Sequence, residues 1–217
     1  MIEDTSLDAL RLRLAPAIAE AVAFDGWKPA AVAAAAEIEG VDPALAAFAF
    51  DGGAMQMIAA WIARIDADMA QALPASQLGN LPIRERIRRL VQFRLDAIEG
   101  KEEALRRALA IMAMPQNVAA AARLGWSSAD AMWRLAGDTA TDYNHYTKRI
   151  TLASIYAATL AYMAQDTSED HEDTRAFLDR RIENVMQFEK AKARLLKPRD
   201  ESFSLVRLLG RMRYPAA

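Results

Sequence analysis

The stretch that decides the fold is Pro29–Gly53, "PAAVAAAAEIEGVDPALAAFAFDGG". Pro29 sits where a helix tolerates proline, at its first turn, and an alanine-rich run to Ile38 follows. Gly40 marks a tight turn, Asp42 is placed to cap a second helix, and Pro43 opens it. "DGG" (51–53) ends that helix, and a longer one is expected from Ala54 to Ala72. Upstream, Leu7, Leu10, Leu14, Ile18 and Ala21 recur at helical spacing and predict a helix over Leu7–Phe24. Helix, short helix, glycine turn, short helix is the outline of a helix-turn-helix.

A DNA-reading version of that unit needs basic and polar side chains on its second short helix. "PALAAFAF" (43–50) offers neither, and no basic residue lies between Lys28 and Arg64. Residues 1–65 hold four basic side chains (Arg11, Arg13, Lys28, Arg64) against nine acidic, a balance of −5. Electrostatics dominates binding to duplex DNA, so the unit reads as scaffold and no nucleic-acid partner is expected.

The rest of the chain reads as helix throughout. Its 217 residues are 53% hydrophobic and 26% charged, with only 9 Gly and 8 Pro to interrupt helices. "LPASQLGNLP" (73–82) is linker-like. Amphipathic or alanine-rich segments follow at 83–98 and 101–114, then at Asn117–Leu124, Ser128–Ala136, Thr141–Gln165 and Asp170–Leu196. Ser127 and Ser128 are capping candidates. The fold class is all-α, organised as a degenerate helix-turn-helix unit (1–52), a larger bundle (53–200) and an amphipathic C-terminal helix (201–217).

With no cysteine, disulfide frameworks, thiolate metal sites and cysteine nucleophiles are excluded. No apolar run reaches 18 residues, and the acidic start "MIEDTSLDAL" lacks a signal-peptide pattern, so an intracellular protein is expected. Net charge is −2, yet residues 190–217 carry eight basic side chains against Asp200 and Glu201, which suits an anionic surface.

"AGDTATDYNHYTKR" (136–149) departs from this apolar background. On one helix, Asp138, Asp142, His145 and Arg149 would be spaced 4, 3 and 4 and share a face. Asp142-x-x-His145 is half of a carboxylate-x-x-His metal motif. The second histidine, His171, has Ser168 in place of the matching carboxylate, so no metal and no cofactor are expected. No nucleophile or phosphate-binding glycine loop accompanies these residues, which favours a paired-charge network over catalysis. Downstream, Ala153, Ala157 and Ala161 form a small-residue stripe. Phe93, Ile111, Met112, Met114, Leu152, Tyr156 and Met163 are the candidates to line an adaptable apolar cavity, with ordinary core packing as the alternative. In the tail, Leu205, Leu208, Leu209 and Met212 fall on one helical face, with Arg207 and Arg211 opposite. That pattern fits an interfacial membrane helix, or a terminal helix docked on the body.

"MWRLAGDTATDYNHYTKR" (132–149) and "AYMAQDTSEDHEDTRAFLDRRIENV" (161–185), with "ALAIMAMPQN" before them, resemble the coenzyme Q biosynthesis lipid-binding accessory family. The resemblance covers about residues 10–190. It implies a TetR-repressor-like fold turned to lipid binding, an isoprenoid quinone or other lipid in the bundle, and no enzymatic activity of its own. It also implies a partner, the di-iron hydroxylase of demethoxyubiquinone, contacted through Met132, Asp142, His145 and Tyr146. Eukaryotic members carry an aromatic pair where this chain has His145 and Tyr146. A homodimer on the cytoplasmic face of a bacterial inner membrane is the expected setting. A ligand-responsive TetR-type regulator and an enzyme in its own right are the competing classes.

Overall fold

A computed structural model describes residues 6–139 and 143–196, with side chains described for 6–139 and 144–187. All regular structure among them is helical: α1 (Leu7–Asp25), α2 (Pro29–Glu39), α3 (Pro43–Ala49), α4 (Ala54–Ala72), α5 (Ala75–Leu78), α6 (Ile83–Asp96), α7 (Glu102–Met112), α8 (Val118–Leu135), α9 (Tyr143–Met163) and α10 (Glu172–Leu196), the last preceded by a 3-10 turn at Glu169–His171. Residues up to Ile182 form one compact unit and those from Glu183 a second. No single helix among the described residues is long and apolar enough to cross a membrane.

The N-terminal helices are punctuated as their sequence dictates. The Ser6 hydroxyl caps α1 by accepting from the Ala9 amide at 3.2 Å, and Asp42 caps α3 by accepting from the Leu45 amide at 2.8 Å. Gly40 ends α2 at φ 62°, in the left-handed region that glycine enters at little cost. α1 packs on α2 and α4 through the fully buried Leu14, Ile18 and Val22. Two of the few basic residues here are consumed internally. Arg11 Nε donates to the Ala49 carbonyl at 2.7 Å and Arg13 to the Glu39 carbonyl at 2.6 Å, satisfying orphan carbonyls at the ends of α3 and α2. The outer side of α3 exposes Leu45 and Phe48. These two arginines serve the fold.

Two links tie α1–α3 to the bundle. Trp27 packs on Trp61 with ring centroids 5.6 Å apart, and its indole donates to the Ala104 carbonyl of α7 at 3.1 Å. Arg107 of α7 reaches back to the Val22 carbonyl at 2.9 Å. In the bundle, α4 packs on α6, α7 and α8, and α9 on α7 and α8.

Two expectations are corrected. The break between Leu124 and Ser128 is absent: α8 runs unbroken through Gly125, because an interior glycine costs a helix only about 1 kcal/mol and tertiary packing outweighs it. Ser128 is no cap but a buried residue facing Arg94. The 73–82 stretch is likewise no free linker. It contains α5, buries Leu78, and is clamped by Arg86, which donates to the Gly79 and Leu81 carbonyls at 2.6 and 2.7 Å and to Ala136 at 2.8 Å.

Candidate functional site

A cavity of about 670 Å³ lies among α4, α6, α7, α8 and α9. That size falls in the range of small-molecule sites, about 300–1,000 Å³. Helical periodicity makes its α9 wall: Ile150, Ala153, Ala157 and Leu160 fall on one face, and the alanines withhold the volume that larger side chains would fill. Ala108, Ala121 and Ala122 do the same on α7 and α8, while Ile58, Ile65, Leu105 and Met112 supply apolar bulk. Two of the lining residues, Val118 and Ile150, are 53% and 58% exposed, so the cavity opens to the surface through an apolar mouth.

Its inner part is different. Arg94 is 1% exposed, yet lines the cavity beside Ser128 and Tyr156. Its guanidinium pairs with Asp66 through Nη1, donates from Nη2 to the Ser128 hydroxyl at 3.0 Å, and lies 4.9 Å from the centroid of the Tyr156 ring. Its Nε has no hydrogen-bond partner. Burial pushes the Asp66 carboxyl above its ordinary range, against the pull of Arg94. A charge is kept this far from water only where it is paired and hydrogen-bonded.

Next to the mouth, α8 and α9 are fastened together. Arg149, 2% exposed, bridges Asp130 at 2.6 Å and Asp138 at 3.0 Å. Lys148 adds a 2.7 Å pair to Asp138 and accepts, through its carbonyl, the Trp133 indole N–H at 3.0 Å. The clasp sets the register of α9 beneath an aromatic cluster. Tyr146 and His145 have ring centroids 5.2 Å apart, and Trp126 lies 5.9 Å from Tyr146 and 6.3 Å from His145. Tyr146 is 57% exposed, and one helical turn on is Ile150 of the mouth. Trp126 also lines the cavity, so the aromatic surface and the cavity wall are continuous.

A second fastening joins α9 to α10. The Asp166 carboxylate accepts from the Ser168 hydroxyl at 2.7 Å, the Thr174 amide at 2.9 Å and the Thr174 hydroxyl. Burial opposes its ionisation, but these hydrogen bonds hold Asp166 well below the usual carboxylate range. His171 Nε2 lies 3.0 Å from Glu102, tying the turn to α7. Among the described residues no group of His, Asp and Glu has the makings of a metal site.

Residues 118–189, which carry the clasp, the aromatic cluster and the α9–α10 turn, match the model of the COQ9 family. These residues belong to the COQ9 family. The kinship reaches beyond them. Mitochondrial ubiquinone biosynthesis protein COQ9 of Rattus norvegicus is 37% identical over 190 residues, covering 83% of this chain and 60% of the relative. The Homo sapiens protein of that name is 35% identical over 190 residues, covering 83% and 59%. The chain thus spans about 60% of the length of the curated relatives it matches. A solved structure of a TetR transcriptional regulator from Nitrosomonas europaea superposes with a TM-score of 0.65 at 21% identity, covering 82% of this chain and 98% of that one. This likeness shows the TetR-like, all-α fold, and the family is the one the sequence motifs resemble.

The COQ9-family motifs and the cavity candidates fare differently in the structure. Of the latter, Met112 and Tyr156 line the cavity. Leu152 and Met163 do not: both are buried on a different side of α9 from Ala153 and Ala157, and fill core. Phe93 and Ile111 pack against the core without lining the cavity, and Met114 lies past the end of α7, half exposed. Met132 is 0% exposed, so the expectation that it meets a partner is corrected; it is a core residue of α8. Asp138 is not on one helix with His145, because α9 begins only at Tyr143, yet its carboxylate pairs with Arg149. Asp142 lies outside the described residues, as do Leu205, Arg207, Leu208, Leu209, Arg211 and Met212 of the tail. Sequence reasoning missed Arg94 and Trp126. Arg94 had a signal, since it follows Ile87, Leu90 and Val91 by seven, four and three residues, a charge set on the apolar face of α6.

Proposed function

We propose that this chain is a lipid-binding accessory protein of ubiquinone biosynthesis, holding an isoprenoid quinone intermediate in the cavity and presenting it to the di-iron demethoxyubiquinone hydroxylase. The observation that carries the reading is the continuity of the apolar cavity, through Trp126, with the aromatic cluster of half-buried His145 and exposed Tyr146. A carrier needs an apolar store, an opening, and a docking surface beside that opening. Tyr and Trp are residue types that anchor protein interfaces, and Tyr146 is exposed here. The curated relatives bear the name of ubiquinone biosynthesis, which supports the pathway.

The chain is read as non-enzymatic, with the chemistry belonging to the partner. A homodimer, peripheral attachment through the basic amphipathic tail, and a bacterial, cytoplasm-facing setting belong to the same proposal; the named relatives are mitochondrial. The test is native mass spectrometry of gently purified protein, with organic extraction of its lipids. A quinone-like or other isoprenoid species is expected at substantial occupancy. Empty protein that also takes up no added isoprenoid refutes the reading.

A further inference from the structure

Among the described residues, Arg94 is the one charged side chain that lines the apolar cavity, and the proposed function does not by itself account for it. Among the N–H groups of a guanidinium, those on Nη1 and Nη2 find Asp66 and Ser128. The N–H on Nε is buried and finds no acceptor. A buried donor left without an acceptor is destabilising, and such groups are rare enough in folded proteins to call for an explanation. Arg94, Ser128 and Tyr156 are 1%, 2% and 6% exposed, whereas the mouth residues are more than half exposed, so the donor lies at the inner end of the cavity.

We propose that Arg94 Nε donates to a neutral carbonyl oxygen on the head of the ligand. The ligand then enters ring first, with its ring against Tyr156 and its isoprenoid tail leaving between Val118 and Ile150. Charge selects the acceptor. Asp66 already neutralises the guanidinium, so a phosphate or carboxylate head would meet the Asp66 charge in surroundings of low dielectric. A carbonyl or ring oxygen meets no such repulsion and supplies the missing acceptor. Ubiquinone-type rings carry that group, which makes Arg94 the residue that distinguishes a quinone from a plain isoprenoid. The inference rests on the lipid-binding reading above.

The test compares two probes on the purified full chain: a dimethoxybenzoquinone with a short isoprenoid tail, and the isoprenoid hydrocarbon of equal length with no ring. In Arg94→Lys the ammonium still faces Asp66, but Nε–H is gone. Quinone affinity is expected to fall on the order of tenfold, as befits a hydrogen bond from a charged donor, with hydrocarbon affinity unchanged. Infrared spectra of carbonyl-labelled quinone should show one stretch shifted down in the wild-type complex and restored in the variant. Should Arg94→Lys not fold, the wild-type spectrum decides, together with the double variant Asp66→Asn/Arg94→Gln, which removes the charges as a pair. An unshifted carbonyl in the wild type, or equal loss for both probes, overturns this inference while lipid binding stands. If neither probe binds wild-type protein, the lipid reading and this inference fall together.

Discussion

Arg149→Met removes the cation that bridges α8 and α9 and leaves two carboxylates behind. Truncating one partner of a buried pair costs about 3–5 kcal/mol, because the other charge stays buried and uncompensated. Here the loss is tempered by what remains. Asp138, only 4% exposed, keeps Lys148 at 2.7 Å, and Asp130 keeps Arg134 at 2.7 Å. The loss therefore falls at or below the bottom of that range, roughly 2–3 kcal/mol, or about 4–12 °C in melting temperature for a chain of this size. Lys148→Met is the matched control. Its ammonium is 39% exposed and Arg149 still holds Asp138, so the loss is that of a surface pair, about 0–1 kcal/mol. Urea melts followed by circular dichroism give both values, and hydrogen exchange should show the first turns of α9 losing protection in Arg149→Met alone. The reasoning is refuted if Arg149→Met melts within about 0.5 kcal/mol of wild type, or if the lysine variant is equally damaged.

Three further outcomes are expected. Tyr146→Asp should abolish capture by the hydroxylase in a pull-down while melting near wild type, whereas Met132→Asp, which buries a charge, should unfold the protein; retained capture by Tyr146→Asp places the interface elsewhere. Ala153→Phe fills the cavity from α9 and should empty the protein of extractable lipid by mass spectrometry with little change in helix content; undiminished lipid shows that it sits elsewhere. Asp166 has a folded pKa below its unfolded value, so its contribution to stability is present above about pH 4 and lost as pH falls through the folded pKa. Asp166→Asn should therefore flatten the decline in stability between neutral and acid pH, and an unaltered profile contradicts the capping role.

The helix-turn-helix could be read from residues 29–53 because each signal there acts locally: Pro29 and Pro43 open helices, Asp42 caps, and Gly40 turns. Arg149 was legible as a member of a polar network from the charges crowded into 136–149, but its partners Asp130 and Asp138 lie outside α9 rather than on one helix with it. What failed depends on distant packing. A periodic apolar residue can face a cavity or a neighbouring helix equally well, so Leu152 and Met163 looked as good as Tyr156. The side of α9 that lines the cavity is marked by alanines, which sequence alone reads as tight packing. Met132 carried the look of an interface residue, and only the helices around α8 bury it.

Trp126 has one edge in the cavity and another against Tyr146 and His145. An occupant that shifts this indole on the inner side alters the outer surface as well, so the two sites share a thermodynamic variable. Any such coupling is reciprocal: a ligand that favours docking by some factor must be held more tightly, by that same factor, once docking has occurred. If a ligand moves Trp126, an affinity measured at either site becomes conditional on the state of the other.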